Sequence, residues 1–485
     1  MSTPNEGREK AFAFEVVERN RDALALLSDS IFYFGEIGPQ EFETARLMTK
    51  LLEDEYFAVT RGISGFPTGF MATFGSGSPV VAIHTEYDAN PDNSQASGVA
   101  EQRPILAGAP GHCEGHNVNG AVLVASAIAI KRAMEKFKLP GTLKVFGAPA
   151  EEQLLSRPYF VRDGYFDDVD VAFHEHISGD FNTVYGLTHS ALVSAKFIFH
   201  GETTHAAVSP WHGRDALDAV VLMDVGMAQY REHMKPDMRV CRVITEGGDQ
   251  PNVIPARASI WWYFRDPTAE GARKLFEQGK KVAEGAAAMT NTTVEVEVIS
   301  AVWPVRANQG LAEVLQQNID LVGMPEWTQA EQKLAREVQE KAGVSARGLK
   351  NKARELKGPA VQGSPCNDCG DVSWAVPMGR LSFPGTVPDV TFHHWTGGVP
   401  LATSIAHKGA VAGAKALSGT IVDLLMNPAL VQRAKDTFRE ECGGVKYHPL
   451  LPPGQKPPID LHRELMEQWR PKMRGHYLQQ EPVFR

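Results

Sequence analysis

Apolar residues recur at three-to-four spacing from Val16 to Leu27 and again from Glu41 to Leu52, the period of helices that bury one face. The period then changes. Pro79-Val-Val-Ala-Ile-His84 is a continuous apolar run of strand length, and it leaves into an acidic loop, Thr85-Glu86-Tyr87-Asp88. Val118 to Met134 is rich in Ala and Val and follows Gly115-His116-Asn117, so the pattern predicts a helix there. Thr142-Leu-Lys-Val-Phe-Gly147 predicts another strand, and Asp170-Val-Ala-Phe173 one more, ending in His174-Glu175-His176. Strands that end in polar clusters, with helices between them, describe an α/β fold whose site lies outside the carboxyl edge of the sheet.

The texture alters after Leu192. Strand (Val193–Phe199), helix (Ala216–Tyr230), two strands (Val240–Thr245 and Ala258–Phe264), helix (Gly271–Ala288) and strand (Thr293–Val298) predict an α+β unit of two layers. It divides the chain into a first part, 1–191, an insertion, 192–302, and a returning part, 303–485. In the last part Thr328–Lys357 is charged and helical, expected as a solvated surface helix or lid. Thr403–Leu425 predicts an Ala-rich helix that returns to the first domain. The tail from Pro449 is rich in Pro, Arg and Gln and is expected to wrap a neighbour or stay mobile.

Composition narrows the class. At 485 residues the chain exceeds one ordinary domain, and 43% hydrophobic with 22% charged residues fits a globular protein. A net charge of −9 without a basic block argues against a nucleic-acid surface. The N-terminal stretch is polar and lacks the apolar core of a signal peptide. No uninterrupted apolar run approaches the roughly 20 residues of a membrane span. Five cysteines, an odd count, lead to the expectation of a reducing cytoplasm. Cys366-Asn-Asp-Cys369 has redox spacing, but Pro365 and Gly370 make it a loop and no second pair completes a zinc site.

The chemistry begins at Ala148-Pro-Ala-Glu151-Glu152, directly after a predicted strand. Adjacent carboxylates at the end of a buried strand are costly unless a cation or a reaction occupies the place. One can bind a metal while the other takes a proton from water; the plain alternative is an exposed acidic pair in a turn. Glu114 and His116 on a loop that opens a helix, with Glu152, His176 and His393, offer His and carboxylate donors from separate strand ends. Such a set suits one or two divalent ions. His84, His189 and His200, standing alone, read as structural or exposed.

Taken together the motifs resemble the metallopeptidase and amidohydrolase family that includes aminoacylases, carboxypeptidase G and the plant auxin-conjugate hydrolases. Glu86-Tyr-Asp-Ala-Asn-Pro91, Gly111-His-Cys-Glu-Gly-His-Asn117 and Pro149-Ala-Glu-Glu152 resemble in particular its bacterial aminobenzoyl-glutamate hydrolase subgroup. His205-Ala-Ala, Pro210-Trp-His-Gly-Arg-Asp-Ala216, Gly247-Gly-Asp-Gln-Pro-Asn-Val-Ile-Pro255 and His393-His-Trp395 follow in the family's order. The resemblance implies a hydrolase domain with a central mixed sheet, and the insertion as its dimerisation domain or lid. It implies Asp88 as the carboxylate that orients a metal-binding histidine, and Glu151 as general base. Glu152, His116, His176 and His393 would be ligands. His205 and Asn252 would come from the small domain, one or both reaching the site of the other subunit, which implies a homodimer or higher homo-oligomer. Arg265 would bind a substrate carboxylate, or else form a surface or interface salt bridge.

Departures from the subgroup bear on metal and substrate. Glu114 stands where the subgroup has a cysteine, and an oxygen donor moves preference from Zn(II) toward Mn(II) or Fe(II). Asn90-Pro-Asp-Asn93, His174 and Glu175 make the expected pocket more polar. The substrate expected is a small carboxylate-bearing aromatic. The first expectation is hydrolytic deamination of 5-nitroanthranilate to 5-nitrosalicylate and ammonia. The alternative is amide hydrolysis of aminobenzoyl-glutamate, N-acyl amino acids or dipeptides. Two other classes compete with an enzyme of this kind, a silent scaffold that kept the fold and a redox protein using Cys366 and Cys369.

Overall fold

Seven strands make the central sheet of the computed structural model, which describes residues 7–485. They are β1 (Ala58–Arg61), β2 (Phe70–Ser76), β3 (Val80–Thr85), β4 (Gly141–Gly147), β5 (Val171–Ser178), β6 (Asn182–Thr183) and β13 (Met378–Pro384), in the order β1-β2-β4-β3-β5-β13-β6. β4, β3, β5 and β13 are parallel, and the flanking strands pair antiparallel. The sheet is therefore mixed, and its four inner strands all open at one carboxyl edge. Purely apolar stretches such as Val80–Ile83 belong in this position because both faces of an inner strand are covered.

One face carries Val81, Ile83, Leu143, Val145, Phe173 and Ile177 against the helices α1 (Arg8–Arg19), α2 (Arg21–Phe34), α3 (Phe42–Asp54) and α4 (His116–Phe137), with the helix Ser404–Met426. The other carries Ala82, Phe146 and Ala172 against α5 (Ser156–Arg162) and the helix Gly370–Ala375. Strand alternation sends His84, His174 and His176 to this second face and Glu175 to the first. Glu175 accordingly does not line the pocket, contrary to the sequence expectation. It is fully buried between Phe173 and Ile177, and burial, then the charge of Glu86, push its carboxyl well above the usual range.

The 23-residue helix Ser404–Met426 is long and apolar enough to cross a membrane, yet 78% of its most apolar window is buried within the protein. Its small residues explain the close fit: a side chain at Gly409 would meet the backbone of Pro384 and Gly385.

Residues 191–302 leave the central sheet and build a four-stranded antiparallel sheet. Its strands are β8 (Ala191–His200), β9 (Arg239–Glu246), β10 (Arg257–Asp266) and β11 (Thr293–Val302), ordered β11-β8-β10-β9. Phe197, Phe199, Ile260, Trp262 and Phe264 face α6 (Ala216–Tyr230) and α7 (Ala269–Thr290). Burying each such side chain contributes about 1.5–3 kcal/mol. A short pair, β7 (Gly186–Leu187) with β12 (Arg306–Ala307), lies at the junction.

Four further expectations change. The run Val16–Leu27 is broken at Asn20, whose side chain donates to the Val16 carbonyl (2.8 Å), so two helices replace one. β5 continues through His174-Glu175-His176 to Ser178, because parallel pairing with β13 outweighs the polarity of the triplet. The charged segment forms a helix only over Gln329–Lys341, where Thr328 and Glu331 make a capping box and Ala335 and Val338 are buried; it is irregular beyond. The tail neither extends nor detaches. Gln40 binds the Ile459 and Leu461 carbonyls, Arg470 binds the Gln40 carbonyl (2.6 Å), and Tyr477 meets Phe34 edge-on at 4.8 Å.

Candidate metal centre

The parallel strands deliver the site. β3 exits to Glu86 and Asp88, and β4 exits to Glu151 and Glu152 after a turn in which Ala150 takes φ 58°. β5 carries His174 and His176, and the loop after β13 carries His393, itself at φ 58°. Such left-handed backbone at non-glycine residues is held only where the surroundings enforce it. Gly115, at φ 99°, turns the chain against Ile177 and makes His116 the first residue of α4.

His116 is the centre of the group. Its Nδ1 lies 3.1 Å from Asp88 Oδ1, and the other Asp88 oxygen accepts the Glu152 backbone N–H at 3.0 Å. Its Nε2 is buried, has no hydrogen-bond partner, and lies 3.9 Å from Glu151 Oε2. One donor atom each from His116, Glu151 and Glu152 lie within 4.8 Å of one another, and so do those of Glu114, Glu152 and His393. His393 Nε2 is 2.6 Å from Glu114 Oε2 and 3.1 Å from Glu152 Oε2. His176 Nε2 is 3.8 Å from Glu114 Oε1, while its Nδ1 meets the Ile177 carbonyl at 2.8 Å. Glu114 therefore faces the cluster and does not cap α4 from outside. Cys113 borders this group without joining either set of donors; its sulfur receives Asn90 Nδ2 at 3.4 Å, and burial, then the charge of Glu152, pushes its thiol up.

The electrostatics are those of an anionic hole. Burial, then the charge of Glu86, push Glu151 well above the usual carboxylate range. Burial and then Glu114 raise Glu152. Burial opposes ionisation of Glu114 too, but the His393 hydrogen bond and the charges of His116 and His176 outweigh it and hold Glu114 at about 2. His393 is in turn lifted to about 10, first by its hydrogen bond to Glu114 and then by that to Glu152. Three carboxylates sharing imidazoles in a buried place call for positive charge.

Several residues that contact the cluster carried no signal in the sequence. Arg157, fully buried on α5, binds Glu86, Asp368 and His84 Nδ1 (3.0 Å) at once. Glu86 also meets His174 Nε2 at 3.0 Å. This ionic layer underlies His176, whose Nε2 is 3.7 Å from Glu86 Oε1. Asn90, flagged only as a polar loop residue, donates to Glu152 Oε1 at 2.6 Å. No local signal marked Arg157 or Asp368, because each acts on partners distant in sequence.

His205 and Asn252 are not brought to the cluster. Both are exposed on the insertion, where the Asn252 carbonyl accepts the Ala206 N–H at 3.0 Å. Arg265 lies 5.6 Å from the Tyr263 ring and reaches the Ser364 carbonyl at 3.5 Å. Its Nε is buried without a partner, and among the described residues it pairs with no carboxylate.

Comparison with known proteins places this geometry. Residues 187–291 match the peptidase dimerisation domain. Over 475 residues the chain is 33% identical to one of the subunits of the p-aminobenzoyl-glutamate hydrolase of Escherichia coli (strain K12), spanning 92% of this chain and 98% of that one. The chain belongs to the M20 peptidase family. A second relative, the Xaa-Arg dipeptidase of Mus musculus, is 29% identical over 444 residues, with 89% of this chain and 92% of that one covered. The fold is shared with a Bacillus subtilis protein described as a dinuclear metal binding peptidase from the M20 family. That likeness has a TM-score of 0.51 at 18% identity and covers 86% of this chain and 99% of the other. This M20 protein is a metal-dependent hydrolase of C–N bonds, in the aminobenzoyl-glutamate hydrolase-like subgroup that its motifs resembled. The donor set fits the ion: the orphaned His116 Nε2 is what a cation would complete.

Proposed function

We propose that this M20 hydrolase cleaves the amide of a small carboxylate-bearing substrate, of the aminobenzoyl-glutamate, N-acyl amino acid or dipeptide class. The end-to-end match to hydrolases named for such substrates carries the choice. It moves amide hydrolysis ahead of 5-nitroanthranilate deamination, which neither name supports. His116, His176, Glu152, Glu114 and His393 would hold the divalent ion. When bound, the ion supplies Lewis acidity and lowers the pKa of water. Glu151 Oε2 accepts the water proton as the C–O bond forms, and returns it to the leaving nitrogen as the C–N bond breaks. The buried, unpartnered Nε of Arg265 supports a role in binding the substrate carboxylate.

The test loads chelator-stripped protein with Mn(II) or Zn(II) and offers p-aminobenzoyl-glutamate, N-acyl amino acids, dipeptides and 5-nitroanthranilate. Amide cleavage is expected, faster with Mn(II), because Glu114 is a hard donor. Ammonia from 5-nitroanthranilate with no amide cleaved would overturn the reading in favour of ring deamination. Glu114→Ala should bind Mn(II) more weakly, and unchanged affinity and preference would remove Glu114 from the ligand set.

The insertion is read as the surface that joins two copies. β9 is an edge strand, and it exposes Val243 and Ile244, while α6 exposes Val221 and Val225. An open apolar edge of this kind invites pairing. His205 and Asn252 would then serve the partner's site, His205 by a hydrogen bond to the developing oxyanion. Mixing inactive Glu151→Gln with inactive His205→Ala subunits should restore part of the activity. A fully active monomer in sedimentation would refute this. The Escherichia coli relative is named as one subunit of its hydrolase, which makes a second kind of subunit worth seeking in the same runs. Five unpaired thiols suit a reducing cytoplasm.

A further inference from the structure

The loop Cys366-Asn367-Asp368-Cys369 invites a redox reading that its environment removes. Cys369 is fully buried, and burial pushes both thiols up to about 12, where they are poor nucleophiles. The two residues between them are the ones engaged with the site. Asp368 accepts the Arg157 backbone N–H at 3.0 Å and Ser156 Oγ at 3.3 Å, and binds the Arg157 guanidinium, which clamps the loop onto α5. Asn367 is buried, and its Nδ2 donates to Glu151 Oε1 at 2.6 Å. Its orientation is fixed from the other end, because Oδ1 accepts the Cys369 N–H at 2.9 Å. A flipped amide would set its NH2 against that N–H and its oxygen against a carboxylate.

With Oε1 tied to Asn367, the free oxygen of Glu151 is Oε2, which faces His116 Nε2 at 3.9 Å. We propose that Asn367 is the positioning residue of the general base, fixing the Glu151 rotamer so that Oε2 alone meets the water. This rests on Glu151 being the base. A carboxylate free to turn about its last torsion presents the wrong oxygen or angle for part of the time, and such misplacement lowers turnover without changing substrate binding.

Asn367→Asp keeps the acceptor for Cys369 and the side-chain size, but replaces the donor with an oxygen. It is expected to lower kcat about 10- to 100-fold, the usual scale for losing a group that orients a reacting one. KM should stay within about twofold, and metal content by elemental analysis should be unchanged, because no ligand or substrate contact is lost. Asn367→Ala should do the same, yet add nothing when combined with Glu151→Gln, since a positioning residue acts only through the group it positions. kcat is read on the amide from the panel that is turned over fastest. Near wild-type kcat in Asn367→Asp, or a loss by Asn367→Ala that persists in full in the Glu151→Gln background, would overturn the positioning role. Full turnover in Glu151→Gln itself would instead remove the base assignment beneath it.

Discussion

Glu151→Gln is expected to retain its metal and to lose about two to four orders of magnitude in turnover, the usual contribution of a general base. The amide keeps the size of the carboxylate and can still meet Asn367, so the turn after β4 should stand. What goes is the one oxygen beside His116 Nε2 that can take a proton. Glu152, next in sequence, cannot substitute. Its oxygens are engaged by Asn90 at 2.6 Å and His393 at 3.1 Å, and it is directed to the ligand group. In barrier terms the loss is about 3–5 kcal/mol. Single-turnover kinetics with metal-saturated protein measure it directly, and turnover near that of the native enzyme would exclude Glu151 as the base.

The second large effect is on stability. Arg157→Met should destabilise the protein by about 3–5 kcal/mol, the cost of removing one member of a buried ionic group and leaving the rest uncompensated. Glu86 and Asp368 are both fully buried and both depend on this guanidinium. Arg157→Lys should recover little. A single ammonium cannot satisfy two carboxylates and His84 Nδ1 together, as a planar fork of five donors does. The loss should appear as an earlier midpoint in thermal or urea unfolding of chelator-treated protein. A native midpoint in Arg157→Met would show that the ionic layer is dispensable. The same substitution frees Asp368, and with it the loop that carries Asn367, so residual activity should fall more steeply than metal content.

Residues whose chemistry lies with their chain neighbours stood out in the sequence, and those whose partners are distant did not. Glu151 and Glu152 stood out because two carboxylates follow directly on a buried strand. Glu114 and His116 stood out because they precede an unmistakable helix. Glu175 misled for the converse reason: its neighbours in sequence are His174 and His176, but strand alternation sends it to the opposite face. Arg157 carried no signal beside Ser156 and Pro158. Its partners lie 71 and 211 positions away, and only the packing of α5 onto the sheet reveals that they meet. The Cys366–Cys369 spacing pointed to the sulfurs, whereas burial silenced them and left Asn367 and Asp368 as the residues that reach the site. The tail was expected to wrap a neighbour or stay mobile because Pro and Arg carry no periodicity, yet its backbone and aromatic side chains find partners in the N-terminal region of the same chain.

By itself the sequence determined the elements and offered a set of candidate donors at their ends. Hydrophobic period is a property of neighbours in the chain, and it sufficed for the strands that end in polar residues, the α+β insertion and the donors offered at each strand end. Tertiary structure decided which of those residues share a place, Glu114 and Glu152 around His393 and Asp88 behind His116, and it added Asn367 behind Glu151. It also left His205 and Asn252 exposed on the insertion, away from the donors of their own chain. The physical reason is the cost of burying charge. Carboxylates and imidazoles are ordered in this interior only by mutual compensation across the four inner strands, and that compensation is set by distances in space that spacing along the chain does not encode.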